Sequence, residues 1–165
     1  MIVVLMGVSG CGKTTVGLAL AERIGWPFHD ADDFHPPANV AKMAAGEPLS
    51  DDDRRPWLDR LASEMAAINT RGGNAILACS ALKQSYRDRL SRAGDVRYVF
   101  LRGDEATIAQ RLAARAGHYM PASLLTSQFA ALEEPSDAMV VDIRSSINDQ
   151  VTTIRDQLLP ASRAA

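Results

Sequence analysis

Short apolar runs alternate along this chain with stretches whose apolar residues recur every three or four positions. Ile2 to Met6 is a continuous run rich in β-branched residues and stops at Gly7. Such a run suits a strand buried on both faces of a parallel sheet. Val16, Leu20 and Ile24 then repeat at helical spacing, with Gly25 as the stop. Pro27 to Asp30 reads as a short second strand, and Asn39 to Ala45 as a small helix ended by Gly46. Ser50 and Asp53 have the spacing of a capping box, with Asp in place of the usual Glu. The helix after them puts Trp57, Leu61, Met65 and Ile68 on one face, and Pro56 is acceptable if it falls in the first turn. Gly72-Gly73 breaks the chain before a third strand, Ala75 to Cys79. Tyr86 and Leu90 mark a helix, Val96 to Leu101 a fourth strand, and Ile108 with Leu112 the next helix. Met139 to Ile143 reads as a fifth strand, and Ile147, Val151, Ile154 and Leu158 as the buried stripe of a last helix. Strands alternating with helices predict an α/β domain with a parallel sheet.

Composition narrows the function classes. The chain has 165 residues, enough for one domain with a real core and no need of disulfides. A net charge of −2 argues against bulk attraction to nucleic acid or an anionic membrane, while leaving room for a local basic pocket. Cys11 and Cys79 have neither zinc-type nor C-x-x-C spacing and read as reduced thiols of a cytoplasmic protein. No apolar run approaches the roughly 20 residues of a membrane span. The opening apolar run lacks a basic flank and leads straight into glycines, so it reads as a strand rather than a leader.

Gly7-Val8-Ser9-Gly10-Cys11-Gly12-Lys13-Thr14 matches G-x-x-x-x-G-K-[ST] in full, between a predicted strand and a predicted helix. The glycines let the backbone turn tightly and aim its N–H groups at phosphate oxygens, and the helix N-terminus adds its positive end. Lys13 is placed to reach the β- and γ-phosphates, and the Thr14 hydroxyl to bind Mg²⁺. The motif specifies a nucleoside triphosphate, not the fate of its γ-phosphate. The third strand ends in Ser80 rather than in a Walker-B aspartate. Asp142, late in the chain, reads as structural or near the nucleotide base; Asp30 and Asp32 are better placed.

Asp30-Ala31-Asp32-Asp33-Phe34-His35 packs three carboxylates and an imidazole together. If Asp30 and Asp32 extend from a strand, both side chains point the same way. One then serves the metal, and Asp32 accepts the proton of an attacking hydroxyl; a solvated acidic loop with a helix cap is the alternative. Ser50 to Trp57 adds three acids that suit a helix N-terminus, with Arg54 and Arg55 in the wrong turn for the dipole, a hint of a ligand. Lys83 and Arg87 lie beyond the third strand, at the sheet edge where such folds bind ligands, and could share a site or be surface charges. Arg111 and Arg115, at i and i+4 before Gly117, suit either a mobile lid or a solvated basic face.

These residues resemble the shikimate kinase and adenylate kinase group. Four further stretches are similar to the gluconokinase family: Asp30 to Leu58, Cys79 to Leu90, Arg111 to Met120 and Ser127 to Pro135, in that order. The resemblance implies a P-loop kinase fold with a five-stranded parallel sheet flanked by helices. Length and position give one domain over 1–160, with a small lid near 111–125 and a frayed tail at 161–165. The resemblance also implies ATP-dependent phosphorylation of D-gluconate at the 6-hydroxyl, feeding the pentose phosphate or Entner–Doudoroff pathway, with Mg²⁺ and a homodimer. The ATP contacts are Gly7 to Thr15. Thr14 and Asp30 are the metal residues; Lys13, Asp32, Arg111 and Arg115 are the catalytic ones. Asp30, Asp32, His35, Arg54, Lys83 and Gln128 are acceptor contacts, with Arg87 a further cationic candidate. Spacing alone does not rank Arg54, Lys83, Arg87 and His35 as partner of the gluconate carboxylate. Ala31 stands where Gly is expected and is expected to narrow the acceptor space; Cys11 stands where Ser is usual and raises the question of a reactive thiol. Against a shikimate-type kinase, Cys79-Ser80-Ala81-Leu82 replaces a glycine triplet; against a GTP-dependent switch, no N-K-x-D motif is present.

Overall fold

The computed structural model describes residues 1–114 and 122–159. Arg115, the central part of the expected lid and the expected tail at 161–165 lie outside the described residues. Five strands form one all-parallel sheet: β1 (Ile2–Met6), β2 (Phe28–Asp30), β3 (Ala75–Ala78), β4 (Val96–Arg102) and β5 (Met139–Asp142). Their order is β2-β3-β1-β4-β5. The helices are α1 (Lys13–Ile24), α2 (Pro37–Ala44), α3 (Asp51–Thr70), α4 (Gln84–Leu90), α5 (Glu105–Ala113), α6 (Ala122–Ala131) and α7 (Ile147–Leu158).

The central strand is apolar on both faces because both are covered. Val3 and Leu5 join a buried cluster with Val16 and Leu20 of α1, Ile108 and Leu112 of α5, Leu125 of α6, and Val151 and Ile154 of α7. Ile2, Val4 and Met6 face the opposite layer, with Trp57, Leu58, Leu61 and Met65 of α3 and Leu90 of α4. Leu61 is fully buried, so truncation to Ala costs about 2–5 kcal/mol. The chain leaves β1 between β3 on one side and β4 on the other, the crevice where parallel sheets bind ligands.

Most of the expected elements are present, the capping box at Ser50 and Asp53 among them, with three differences. Pro56 is the sixth residue of α3, in its second turn rather than its first, so the Asp52 carbonyl loses its intrahelical donor. The reason is that the expected capping box at Ser50 and Asp53 forms in full and starts the helix at Asp51. Ala31–Phe34 is a 3-10 turn rather than extended chain, because the Asp30 side chain accepts from the Asp32 N–H at 3.1 Å. The strand-based reason for Asp30 and Asp32 sharing a face therefore does not hold. Helix α6 carried too little apolar periodicity to be predicted.

Candidate functional site

The loop between β1 and α1 is shaped by residues that only its sequence permits. Gly7 has φ +140°, and a Cβ there would stand 2.9 Å from the Leu101 carbonyl oxygen and the Cys11 sulfur. Gly12 is the N-cap of α1 with φ +104°, a left-handed conformation. It turns the chain so that the amides of Lys13, Thr14 and Thr15, which have no intrahelical acceptor, open into the loop; Val16 is the first to donate back, to Gly12, at 2.9 Å. The Lys13 ammonium folds over the loop and donates to the carbonyls of Gly7 at 3.0 Å and Val8 at 3.1 Å. Amides and ammonium together make an anion cradle of the kind that binds phosphate.

Cys11 is 1% exposed, and burial pushes its thiol above the ordinary range, against the pull of Lys13. Both features disfavour the thiolate, the form that reacts. Ser9 is held from α6: its N–H donates to Gln128 Oε1 at 2.7 Å, and Gln128 Nε2 donates to Ser9 Oγ at 3.1 Å. Gln128, expected as an acceptor contact, thus uses its amide on the phosphate loop.

The end of β2 delivers carboxylates to this cradle. Thr14 Oγ1 donates to Asp30 Oδ2 at 3.4 Å. Two hard oxygens at this separation suit Mg²⁺, which keeps several waters and is commonly held by one or two protein oxygens together with phosphate. Among the described residues no group of three or more His, Cys, Asp or Glu side chains forms a metal cage. Asp32 lies next along the chain. Partial desolvation and then the Asp30 charge raise its pKa, opposed by His35 and Lys13. Its side chain is 84% exposed, so the rise is damped by water but makes the carboxylate a better base.

His35 stacks on Trp57 with ring centroids 4.2 Å apart, and its Nε2 is 3.7 Å from Asp32 Oδ1. Burial lowers its pKa more than Asp32 raises it, with Arg54 adding to the lowering. Asn39 Nδ2 lies 3.4 Å from His35 Nδ1 and donates to the Asp53 carbonyl at 2.9 Å. A donor on Nδ1 assigns the neutral ring's proton to Nε2, the atom facing Asp32. Ala31 does not narrow the acceptor space: it is buried in the α3 layer, and its carbonyl accepts from the Trp57 indole at 2.8 Å.

Arg54 and Lys83 meet across the cleft. Arg54 Nη1 donates to the Leu49 carbonyl at 2.6 Å and lies 3.8 Å from Asp51; Lys83 Nζ bonds both Asp51 oxygens, at 2.9 and 2.7 Å. Arg55, the second arginine of that turn, pairs on the surface with Asp52 at 2.7 Å.

Arg87 is a correction to the expected acceptor set. It is 2% exposed and donates to the carbonyls of Ala81 and Leu82, both at 2.9 Å, and to Gln84. It cannot share a ligand with Lys83, because its donors are spent on the loop beneath. That loop needs holding: Ala81 has φ +43°, in the region that favours glycine. Arg111 also differs from a lid group, since it sits inside α5, partly buried, and donates to the Ile143 carbonyl. Asp142 is ion-paired with Arg144 at the end of β5.

Several positioning residues escaped the sequence reading, among them Asn39, Tyr86 and Glu133, which accepts from the Gln84 N–H at 2.6 Å and so caps α4 from a distance. A buried Asn and a cap supplied by a distant loop residue are set by tertiary contacts and leave no local pattern. Two surface hollows, of about 570 and 670 Å³, lie elsewhere: one between α1 and α7, the other around Met1, Tyr98 and Met139.

A parallel sheet in this order, with this loop leaving its central strand, defines the P-loop kinase class. The sequence profile of the AAA domain family matches residues 2–135. A gluconokinase of Gluconobacter oxydans is 52% identical over 136 residues, covering 81% of this chain and 76% of that protein. The crystal structure of a gluconokinase from Sinorhizobium meliloti superposes with a TM-score of 0.82 at 39% identity, covering 94% of each chain. An unliganded sugar kinase from a Janibacter species gives a TM-score of 0.88 at 44% identity, covering 97% of this chain and 95% of that one. The chain belongs to the gluconokinase family.

Proposed function

We propose that this chain transfers the γ-phosphoryl group of ATP to the 6-hydroxyl of D-gluconate, giving 6-phospho-D-gluconate and ADP. The observation that carries the reading is a convergence at one end of the sheet. The Lys13 cradle, the Asp32 carboxylate and the Arg54–Lys83 cations all lie there, in a chain of this family.

The reaction divides among the chain's own groups. The amides from Gly7 to Thr15 and the Lys13 ammonium bind the triphosphate and face its γ end toward β2. Lys13 exchanges its bonds to Gly7 and Val8 for phosphate oxygens. Asp32 accepts the proton of the 6-hydroxyl as the new O–P bond forms and the bond from phosphorus to the bridging oxygen of ADP breaks. His35 Nε2–H orients Asp32, and Arg54 and Lys83 supply positive charge for the gluconate carboxylate. Thr14 and Asp30 would hold Mg²⁺, which supplies charge neutralisation on the phosphates. Water competes as an acceptor, and the lid role of 111–125 and of Arg115, which lies outside the described residues, rests on the sequence resemblance. A homodimer and a cytoplasmic location, where ATP is plentiful, complete the proposal. No described helix is long and apolar enough to cross a membrane.

The test is ADP release from ATP and Mg²⁺ across a panel of sugar acids. The proposal expects ADP to form with gluconate and to fall to a slow background without it. Equal ADP release with and without every acceptor would instead describe a nucleotide hydrolase.

A further inference from the structure

Asp51 is the first residue of α3, yet its carboxylate does not simply serve that helix. Lys83, the residue before α4, bonds both of its oxygens at 2.9 and 2.7 Å. The Tyr86 hydroxyl, also from α4, donates to the same carboxylate. The Arg54 guanidinium stands 3.8 Å away and 5.9 Å above the Tyr86 ring. Two cations and one phenol thus converge on one carboxylate. The remaining Arg54 bond goes to a neutral carbonyl, so the cluster holds one positive charge more than it neutralises.

We propose that Asp51 is an internal stand-in for the substrate's carboxylate: Lys83, Tyr86 and Arg54 form a seat for one acid group, and a sugar acid enters it by displacing Asp51. This rests on the proposed kinase function and deepens it. The cluster lies near the chemistry, because Arg54 is one turn before Trp57 on α3, and Trp57 stacks on His35, whose Nε2 faces Asp32. Asp51 is not locked in place: its side chain is 58% exposed, so water takes up its carboxylate when a substrate acid replaces it. The exchange also selects. A neutral polyol would have to strip Lys83 of its counter-ion and return only a hydroxyl, whereas an acid returns a carboxylate. The paired groups have the expected displacement: Lys83 and Tyr86 bind Asp51 in its ionised form and hold its pKa below the usual carboxylate value.

The test is calorimetric titration of D-gluconate into the wild type and Asp51→Asn, with the neutral six-carbon alditol as a control ligand. Removing the internal competitor should tighten gluconate binding about three- to tenfold and leave the alditol unchanged. Adding Tyr86→Phe to Asp51→Asn should take back part of that gain, since the phenol then serves the acid alone. Lys83→Met in the wild type should weaken gluconate and not the alditol. Gluconate binding that is unchanged or weaker in Asp51→Asn overturns the inference, as does an equal loss of both ligands in Lys83→Met. In either case wild-type phosphorylation of gluconate would leave the kinase function standing. A wild type that phosphorylates only some other acceptor overturns both.

Discussion

Thr14 and Asp30 meet across the end of the sheet, the threonine hydroxyl donating to the carboxylate at 3.4 Å. One belongs to the first turn of α1 and the other closes β2, so their meeting joins the phosphate loop to the acceptor side. If the pair holds Mg²⁺, Asp30→Asn should raise the Mg²⁺ needed for half-maximal ADP release by roughly 10- to 100-fold. The amide oxygen of Asn can still accept from the Asp32 N–H, so the melting temperature should hardly move. An unchanged Mg²⁺ requirement would remove Asp30 from the metal.

Asp32 is the proposed base. Asp32→Asn keeps the size and removes the proton acceptor, so turnover should fall by about 10²-fold or more. ATP affinity, measured by titration, should stay near that of the wild type. Near-normal turnover would take Asp32 out of this role.

Arg87 is a structural cation. Arg87→Met leaves the Ala81 and Leu82 carbonyls without their donor in a buried loop already held at a left-handed Ala81. The loss should be about 2–4 kcal/mol in urea unfolding. A variant as stable as the wild type but weak for gluconate would restore Arg87 to the acceptor site.

The fold was legible where a side chain answers to its own neighbours in sequence. Apolar runs marked β1, β3 and β5 and most of β4, while β2 carries only Phe28 as an apolar residue; Gly25 and Ser50 marked helix ends through local cap geometry. The phosphate loop was legible because its glycines, lysine and threonine are needed in fixed order. What the sequence leaves open is the use to which polar residues are put. Lys83 and Arg87 look alike on paper, but one reaches Asp51 across 32 residues and the other is buried under its own loop. Gln128 was picked out for the acceptor and is bonded to Ser9, 119 residues away. Such pairings depend on which helix ends the sheet brings together, and the chain carries no local record of them.

Asp53 links acid stability to the start of α3. Lys42, with distances of 2.8 and 3.0 Å, and the Ser50 N–H and hydroxyl hold its carboxylate at a pKa of about 2 against an ordinary 3.8. A depressed pKa contributes stability that is complete above the unfolded value and is lost as pH falls through the folded one. Thermal melts between about pH 4 and 2 should therefore fall less steeply in Asp53→Asn than in the wild type. An identical slope would mean that other carboxylates carry the acid limb.

The most direct measurement is the position of the phosphate in the product. Protein, ATP, Mg²⁺ and D-gluconate are incubated, and the product is examined by proton-coupled phosphorus NMR. A phosphate monoester coupled to the two C6 protons is expected, in amount equal to the ADP formed. Inorganic phosphate alone, or an ester on a different carbon, would contradict phosphoryl transfer to the terminal hydroxyl.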